Sequence, residues 1–149
     1  MIATGVEIDQ QALLAAFVRL GGLYEDLSPV FEEVGEEALK DIRRRLDNHP
    51  GPALKMATIK KKGHARILRD SDNLYGSFVK GARGNVTRIT RTEGEVGTDV
   101  EYASFHQTGT PRMARRTVVQ ITGEQEAKYC QIASAVQLRR IRELGFEAR

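Results

Sequence analysis

Residues 28–47 constrain this chain more than any other stretch. Ser28-Pro29 marks a helix start, with Ser28 as N-cap and proline at the first helical position, where its missing N–H costs nothing. Val30, Val34, Ala38, Ile42 and Leu46 then recur at helical spacing, flanked by Phe31 and Leu39. Glu32, Glu33, Glu36 and Glu37 fall near the start, and Arg43, Arg44 and Arg45 near the end. Both placements suit the helix dipole. A helix with one apolar stripe needs a second layer to cover it, so the rest of the chain must supply one.

The flanking segments offer that layer. Residues 2–8 read as a short strand. Asp9 is the N-cap of a preceding helix with Ala12, Leu13, Ala16, Phe17 and Leu20 at helical spacing, ended by Gly21-Gly22. Asn48-His-Pro-Gly-Pro52 is a loop. Asp70-Ser-Asp-Asn73 is a turn or cap leading into a short helix near Leu74–Ser77. Strands are expected near 77–82, 85–91 and 94–98, with Thr92-Glu93-Gly94 as a hairpin turn. A short helix over 102–108 stops at Gly109 and Pro111, and the β-branched run Thr117-Val-Val-Gln-Ile121 reads as a strand. Thr122-x-x-Gln125 is a capping box for a last helix. The expected class is α+β: N-terminal helices, a small, mostly antiparallel sheet and a C-terminal helix, forming one domain over residues 1–149.

Composition removes several alternatives. The 149 residues suit a single domain, and 40% hydrophobic residues are enough to bury a core. With no Trp and few aromatics, that core must be mainly aliphatic. No apolar run approaches the roughly 20 residues of a membrane span, and the N-terminus lacks the pattern of a secretion signal. Cys130 is the sole cysteine, which excludes an internal disulfide framework and points to folding in the cytosol. His49, His64 and His106 have no neighbours at metal-ligand spacing. Nucleophile-elbow, metalloprotease, P-loop and dinucleotide-turn patterns are all absent. Glu36-Glu37 reads as part of a solvated face rather than an acid/base pair. The expectation is therefore a protein that is not an enzyme, with no catalytic, metal or cofactor site.

Charge is uneven along the chain. The balance is −5 over residues 1–48, +8 over 49–92 and zero over 93–149. Residues 49–69 read as a flexible, exposed loop, and Lys60, Lys61, Lys62, Arg66 and Arg69 are candidate basic contacts. Two readings stay open for them. One is a solvated or subunit-facing loop that meets an acidic surface such as residues 32–37. The other is phosphate binding by a small nucleic-acid-binding or regulatory protein, although no aromatic is interleaved to stack bases.

A series of short motifs is more specific. Ile67-Leu68 precedes Ser71-Asp72-Asn73-Leu74 and Ser77-Phe78. Then come Val96-Gly97-Thr98, Tyr102-Ala103, His106-Gln107, Gly109 and Pro111-Arg112-Met113-Ala114-Arg115. In this order and spacing the chain resembles the phage virion morphogenesis family, the Mu-type tail completion proteins, and more distantly the head–tail joining components. The resemblance runs over about residues 9–140. In that family a Gly usually stands at the place of Asp72, Pro-Phe at Arg116-Thr117, and a Trp in the loop after the second helix.

The resemblance implies a structural protein of a phage or prophage that acts in tail completion or head–tail joining. Its implied partners are other virion proteins of the tail tube or neck, and further copies of itself, in a ring. Its implied location is the bacterial host cytoplasm during assembly and then the virion. The matching residues have their own physics. Tyr102, Ala103 and Gly109 fit a buried short helix and its stop, and Leu74 is a further structural residue of the motif series. Arg112 and Arg115 suit bidentate pairing with carboxylates across a subunit boundary, and with His106 they are candidate interface residues.

The chain's end adds one more expectation. Leu138, Ile141 and Leu144 form a stripe off the face of Tyr129, Ile132, Ala133 and Val136. One straight helix cannot turn both stripes to one core. Either a break after Gln137 folds residues 138–149 back on their own domain, or that segment docks on a neighbour.

Overall fold

A computed structural model describes residues 9–48 and 51–146. The strand read over 2–8 lies outside the described residues. Helix α1 spans Gln10–Glu25, and Asp9 caps it by accepting from the amides of Gln11 (2.9 Å) and Ala12 (3.2 Å). Contrary to expectation, Gly21-Gly22 does not end it. Two glycines cost about 1 kcal/mol each in a helix interior. Tertiary anchoring beyond them offsets this: Leu23 is buried and its carbonyl accepts from Arg140 at 3.1 Å.

Helix α2, Ser28–Asp47, starts one residue earlier than the sequence implies. Ser28 is inside the helix, and the carboxylate of Asp26 takes up its backbone amide (3.0 Å) and hydroxyl (2.6 Å). Leu39, Ile42 and Leu46 of α2 form the core with Leu74, Phe78 and Val118. A seven-residue helix, α3 (Met56–Lys62), lies inside the segment read as loop. Neither Gly nor Pro interrupts it, and its three terminal lysines suit the helix C-terminus. None of its residues is buried, but Ile67 just beyond it is.

After α4 (Asn73–Gly76), strands β1 (Asn85–Ile89) and β2 (Gly94–Thr98) pair antiparallel, with Asn85 opposite Thr98 and Ile89 opposite Gly94. The third strand expected at 77–82 does not form. Its backbone closes in local turns, Val79 N to Gly76 O at 2.9 Å and Ala82 N to Val79 O at 3.0 Å. The Ser77 hydroxyl donates to the Leu74 carbonyl (2.7 Å) and lies 2.7 Å from the Thr98 hydroxyl, fixing this turn against the end of β2.

Helix α5 covers Ala103–Thr108. The run 117–121 is not a strand either. Two side chains hold it: Gln107 Oε1 accepts from the amides of Val118 (2.9 Å) and Val119 (3.0 Å) and its Nε2 donates to the Val119 carbonyl (2.6 Å), while Arg45 of α2 donates to the Gln120 side chain (3.0 Å). A side-chain amide here takes the place of a neighbouring strand.

Helix α6 runs unbroken from Gly123 to Glu143, opened by the expected capping box of Thr122 and Gln125. No break follows Gln137. The two stripes are served by two partners. Val136, almost fully buried, belongs to the part of α6 that packs on α2. The end with Ile141 and Leu144, both half-buried, is tied to α1 through Arg140 and through Arg19, which donates to the Leu144 carbonyl. Leu138 remains exposed.

A buried carboxylate locks α2 to α6. Asp41 Oδ2 accepts from Lys128 Nζ (2.6 Å) and the Tyr129 hydroxyl (3.0 Å), and Oδ1 accepts from Arg44 (2.7 Å). Burial pushes the Asp41 carboxyl up, but these hydrogen bonds and the Lys128 and Arg44 charges outweigh it and hold it below its ordinary value. Burial first, then the bond to Asp41, pushes the Tyr129 phenol up to about 12.

Candidate functional site

Several of the motif residues, Leu68, Ser71, Asp72, Tyr102, His106 and Arg112–Ala114, line one open cavity of about 770 Å³. Its walls are residues 52–62, residues 68–72 and the segment from Tyr102 to Arg116. Each wall has a local cause. Gly109 ends α5 at φ 78°, and a Cβ there would lie 3.1 Å from the Arg115 amide nitrogen. Only glycine fits such a turn without strain. The chain then closes a tight turn over Pro111-Arg112, with Thr110 and Met113 exchanging both backbone hydrogen bonds, at 2.9 and 3.0 Å. The Arg116 amide donates to the His106 carbonyl at 2.8 Å. The Arg116 guanidinium, buried, donates to the Pro52 carbonyl and so holds residues 51–52 against the far wall.

Asp72 forms the remaining corner. It adopts φ 57°, in the left-handed region, which Asp tolerates better than most residues. Arg69 fixes it with bonds of 2.5 and 3.5 Å to its two carboxylate oxygens. The glycine that usually stands here in the resembling family would hold the same turn without a partner.

The lining is mixed. Leu54, Leu68, Met113 and Tyr102 are apolar; Lys55, Lys62, Arg112 and Arg116 are cationic; Asp70 and Asp72 oppose them. Asp72 is taken by Arg69, and Asp70 lies 4.0 Å from Lys62. His106 is half-buried and packs edge-on to Tyr102, with ring centroids 5.9 Å apart. Its Nδ1 is buried without a hydrogen-bond partner. Burial, aided by the charges of Arg116 and Lys62, lowers its pKa, so the ring is neutral at pH 7. Among the described residues no group of three His, Cys, Asp or Glu side chains is placed to hold a metal ion, and no helix is long and apolar enough to cross a membrane. The arrangement is suited to binding an extended segment with apolar and acidic side chains.

The sequence-derived candidates divide accordingly. Lys62, Tyr102, His106 and Arg112 meet at the cavity. Arg115 is exposed outside it, its backbone packed under Gly109. Lys60, Lys61 and Arg66 are exposed. Arg69 is engaged internally: it bonds Asp47 (2.9 Å) and Asp72, and stacks 3.6 Å above the Tyr75 ring. Leu74 is core, and Ala103 packs against that core. Leu138, Ile141 and Leu144 lie together on the end of α6, away from this cavity.

The sequence reading missed the outer face of α1. Leu14, Phe17, Val18 and Tyr24 are 65%, 61%, 76% and 62% exposed, and Leu13 is 45% exposed. The signal was present: between Gln10 and Tyr24 the only charged residue is Arg19. A helix apolar nearly all round is one that needs cover on every side.

The model of the phage virion morphogenesis family matches residues 8–139, from the start of α1 through most of α6. The chain belongs to the phage virion morphogenesis family. No curated protein and no solved structure matches it. Membership makes this a phage protein of virion morphogenesis, the family that the ordered motifs resemble.

Proposed function

We propose that this morphogenesis protein completes the tail or joins it to the head, and does so by subunit assembly without catalysis. The family match over residues 8–139 carries the reading. The surface supports it. The cavity offers apolar and cationic groups to a polypeptide segment. In this reading the protein works in the bacterial host cytoplasm and ends in the virion. Its partners are a tail-tube or neck protein and further copies of itself, with Lys62, His106 and Arg112 facing the partner. A nucleic-acid role is left with Lys60, Lys61 and Arg66, since Arg69 is neutralised by Asp47 and Asp72.

The test is a phage in which this gene carries a stop codon. Electron microscopy of the lysate is expected to show filled heads and separate, incomplete tails, and the purified protein should restore infectivity to that mixture. Normal, fully joined virions in the lysate would overturn the proposal.

A further inference from the structure

We propose that α1 is a self-association helix, packing its exposed face against α1 of a second copy about a two-fold axis. The face is defined by helix geometry. At 100° per residue, Leu13, Tyr24, Phe17, Gly21, Leu14 and Val18 fall within one arc about 140° wide, while Leu23 and the half-buried Ala16 point away from it and the half-buried Leu20 borders it. At their fractional exposures these side chains present on the order of 600 Å² of apolar surface, most of the roughly 800 Å² that each partner of a standard interface buries. So large a contiguous apolar face is not left to water on a chain in which 29% of residues are charged.

The chemistry of the face selects the occupant. In an isologous contact each group near the axis meets its own copy, so any charge there would meet a like charge. The arc's one charged side chain is Glu25 at the helix end, about two turns from the crossing point and so far from its own copy; Arg19 lies off the arc and is held by the Leu144 carbonyl and the Phe146 ring. An acidic partner would find no cation on this face, and a basic one only Glu25 at its edge. The relief fits as well. Nothing lies within 4 Å of where a Gly21 Cβ would stand, so the face has a notch one turn from the Phe17 ring. An antiparallel pair crossing near position 19 sets Phe17 of each copy into the notch of the other. The assembly reading provides the setting for this contact, but the contact stands or falls on the purified protein alone.

Sedimentation equilibrium of the full chain, with a reductant to keep the exposed Cys130 from cross-linking, is expected to show a concentration-dependent dimer. The double variant Leu14→Glu, Val18→Glu should raise its dissociation constant by about 100-fold or more while circular dichroism stays unchanged, since both side chains are exposed in the protomer. Gly21→Leu is the sharper probe. It favours the helix of a lone protomer but fills the notch, so it should weaken dimerisation by about 10-fold or more. A wild-type chain that stays monomeric at about 100 μM would overturn the proposal. So would a double variant that associates as tightly as wild type, and so would a Gly21→Leu variant that dimerises more tightly.

Discussion

Helices α1 and α2 invert the usual relation between composition and burial. Charged residues crowd α2, yet it supplies Leu39, Ile42 and Leu46 to the core. Between its ends α1 holds Arg19 as its sole charge, yet Leu23 is its only buried residue. The difference lies in pattern. In α2 the apolar residues keep to one stripe, so a single partner layer satisfies it. In α1 they go nearly all round, and the fold of one protomer covers one side only. Apolar content measures how much cover a helix needs; periodicity shows how much of it the protomer itself supplies.

Truncation in the two helices should separate them most widely. Leu46 is completely buried, and Leu46→Ala should cost on the order of 3 kcal/mol in urea unfolding. Leu14→Ala, measured where the protein is monomeric, should stay within about 0.5 kcal/mol of wild type. Comparable losses at both positions would mean that α1 is covered within the protomer.

The next contrast is polar. α2 is held to α6 through Asp41, whereas α1 is held by Arg19 and Arg140 donating to carbonyls. Asp41→Ala strands the Tyr129 hydroxyl and should cost about 2 kcal/mol. Because the folded Asp41 carboxyl lies below its ordinary value, its contribution is present above about pH 4 and lost as pH falls through the folded value. At the other extreme, the Tyr129 phenol sits at about 12 when folded, so stability declines as pH rises from 10 towards 12. Ultraviolet titration of the phenol in Asp41→Asn should show it ionising at lower pH than in wild type.

Glycines provide the smallest contrast. A Cβ on Gly35 in α2 would stand 2.9 Å from Val96 Cγ1 of β2, so the Val96 side chain or the strand carrying it must give way. Gly35→Ala should lose about 1 kcal/mol despite its better helix propensity. Gly21→Ala in α1 meets nothing and should gain up to about 1 kcal/mol in a dilute monomer. Thermal denaturation of the two variants reads both signs.

What was legible in the sequence followed local rules. The Asp9 cap, the stripe of α2, the hairpin around residues 90–93 and the box of Thr122 and Gln125 are all specified by residues within a turn or two of one another. The errors arose where distant residues decide. Gly21-Gly22 reads as a stop unless Arg140, far along the chain, reaches the Leu23 carbonyl. Residues 117–121 have a strand's composition, but their hydrogen bonds end on side chains from α5 and α2. Two stripes on α6 read as either a break after Gln137 or a segment docked on a neighbour, because only α2 was in view as a partner; α6 is unbroken, and its end is tied to α1 through Arg19 and Arg140. For the site, part of the ordered motifs, among them Leu68, Asp72, Tyr102, His106 and Arg112, lines the cavity, while its wall over 52–62 reads only as an exposed loop. The motifs gave no sign that Arg69 would be consumed by Asp47 and Asp72, or that Arg116 would be a buried tie.

The Gln107 side chain leaves a particular pattern of freedom behind it. It grips the peptide groups of Val118 and Val119 and ignores what hangs from them. Of the residues in that stretch Val118 alone is buried, so Val119 and Ile121 point into solvent and are free to drift between related phages. Much of the information that places this stretch is thus written elsewhere in the gene, in Gln107 upstream and in Arg45 of α2, which bonds Gln120. A change of length at Gln107, to Asn, or of charge, to Glu, would loosen the segment, whereas rewriting most of its own letters would not.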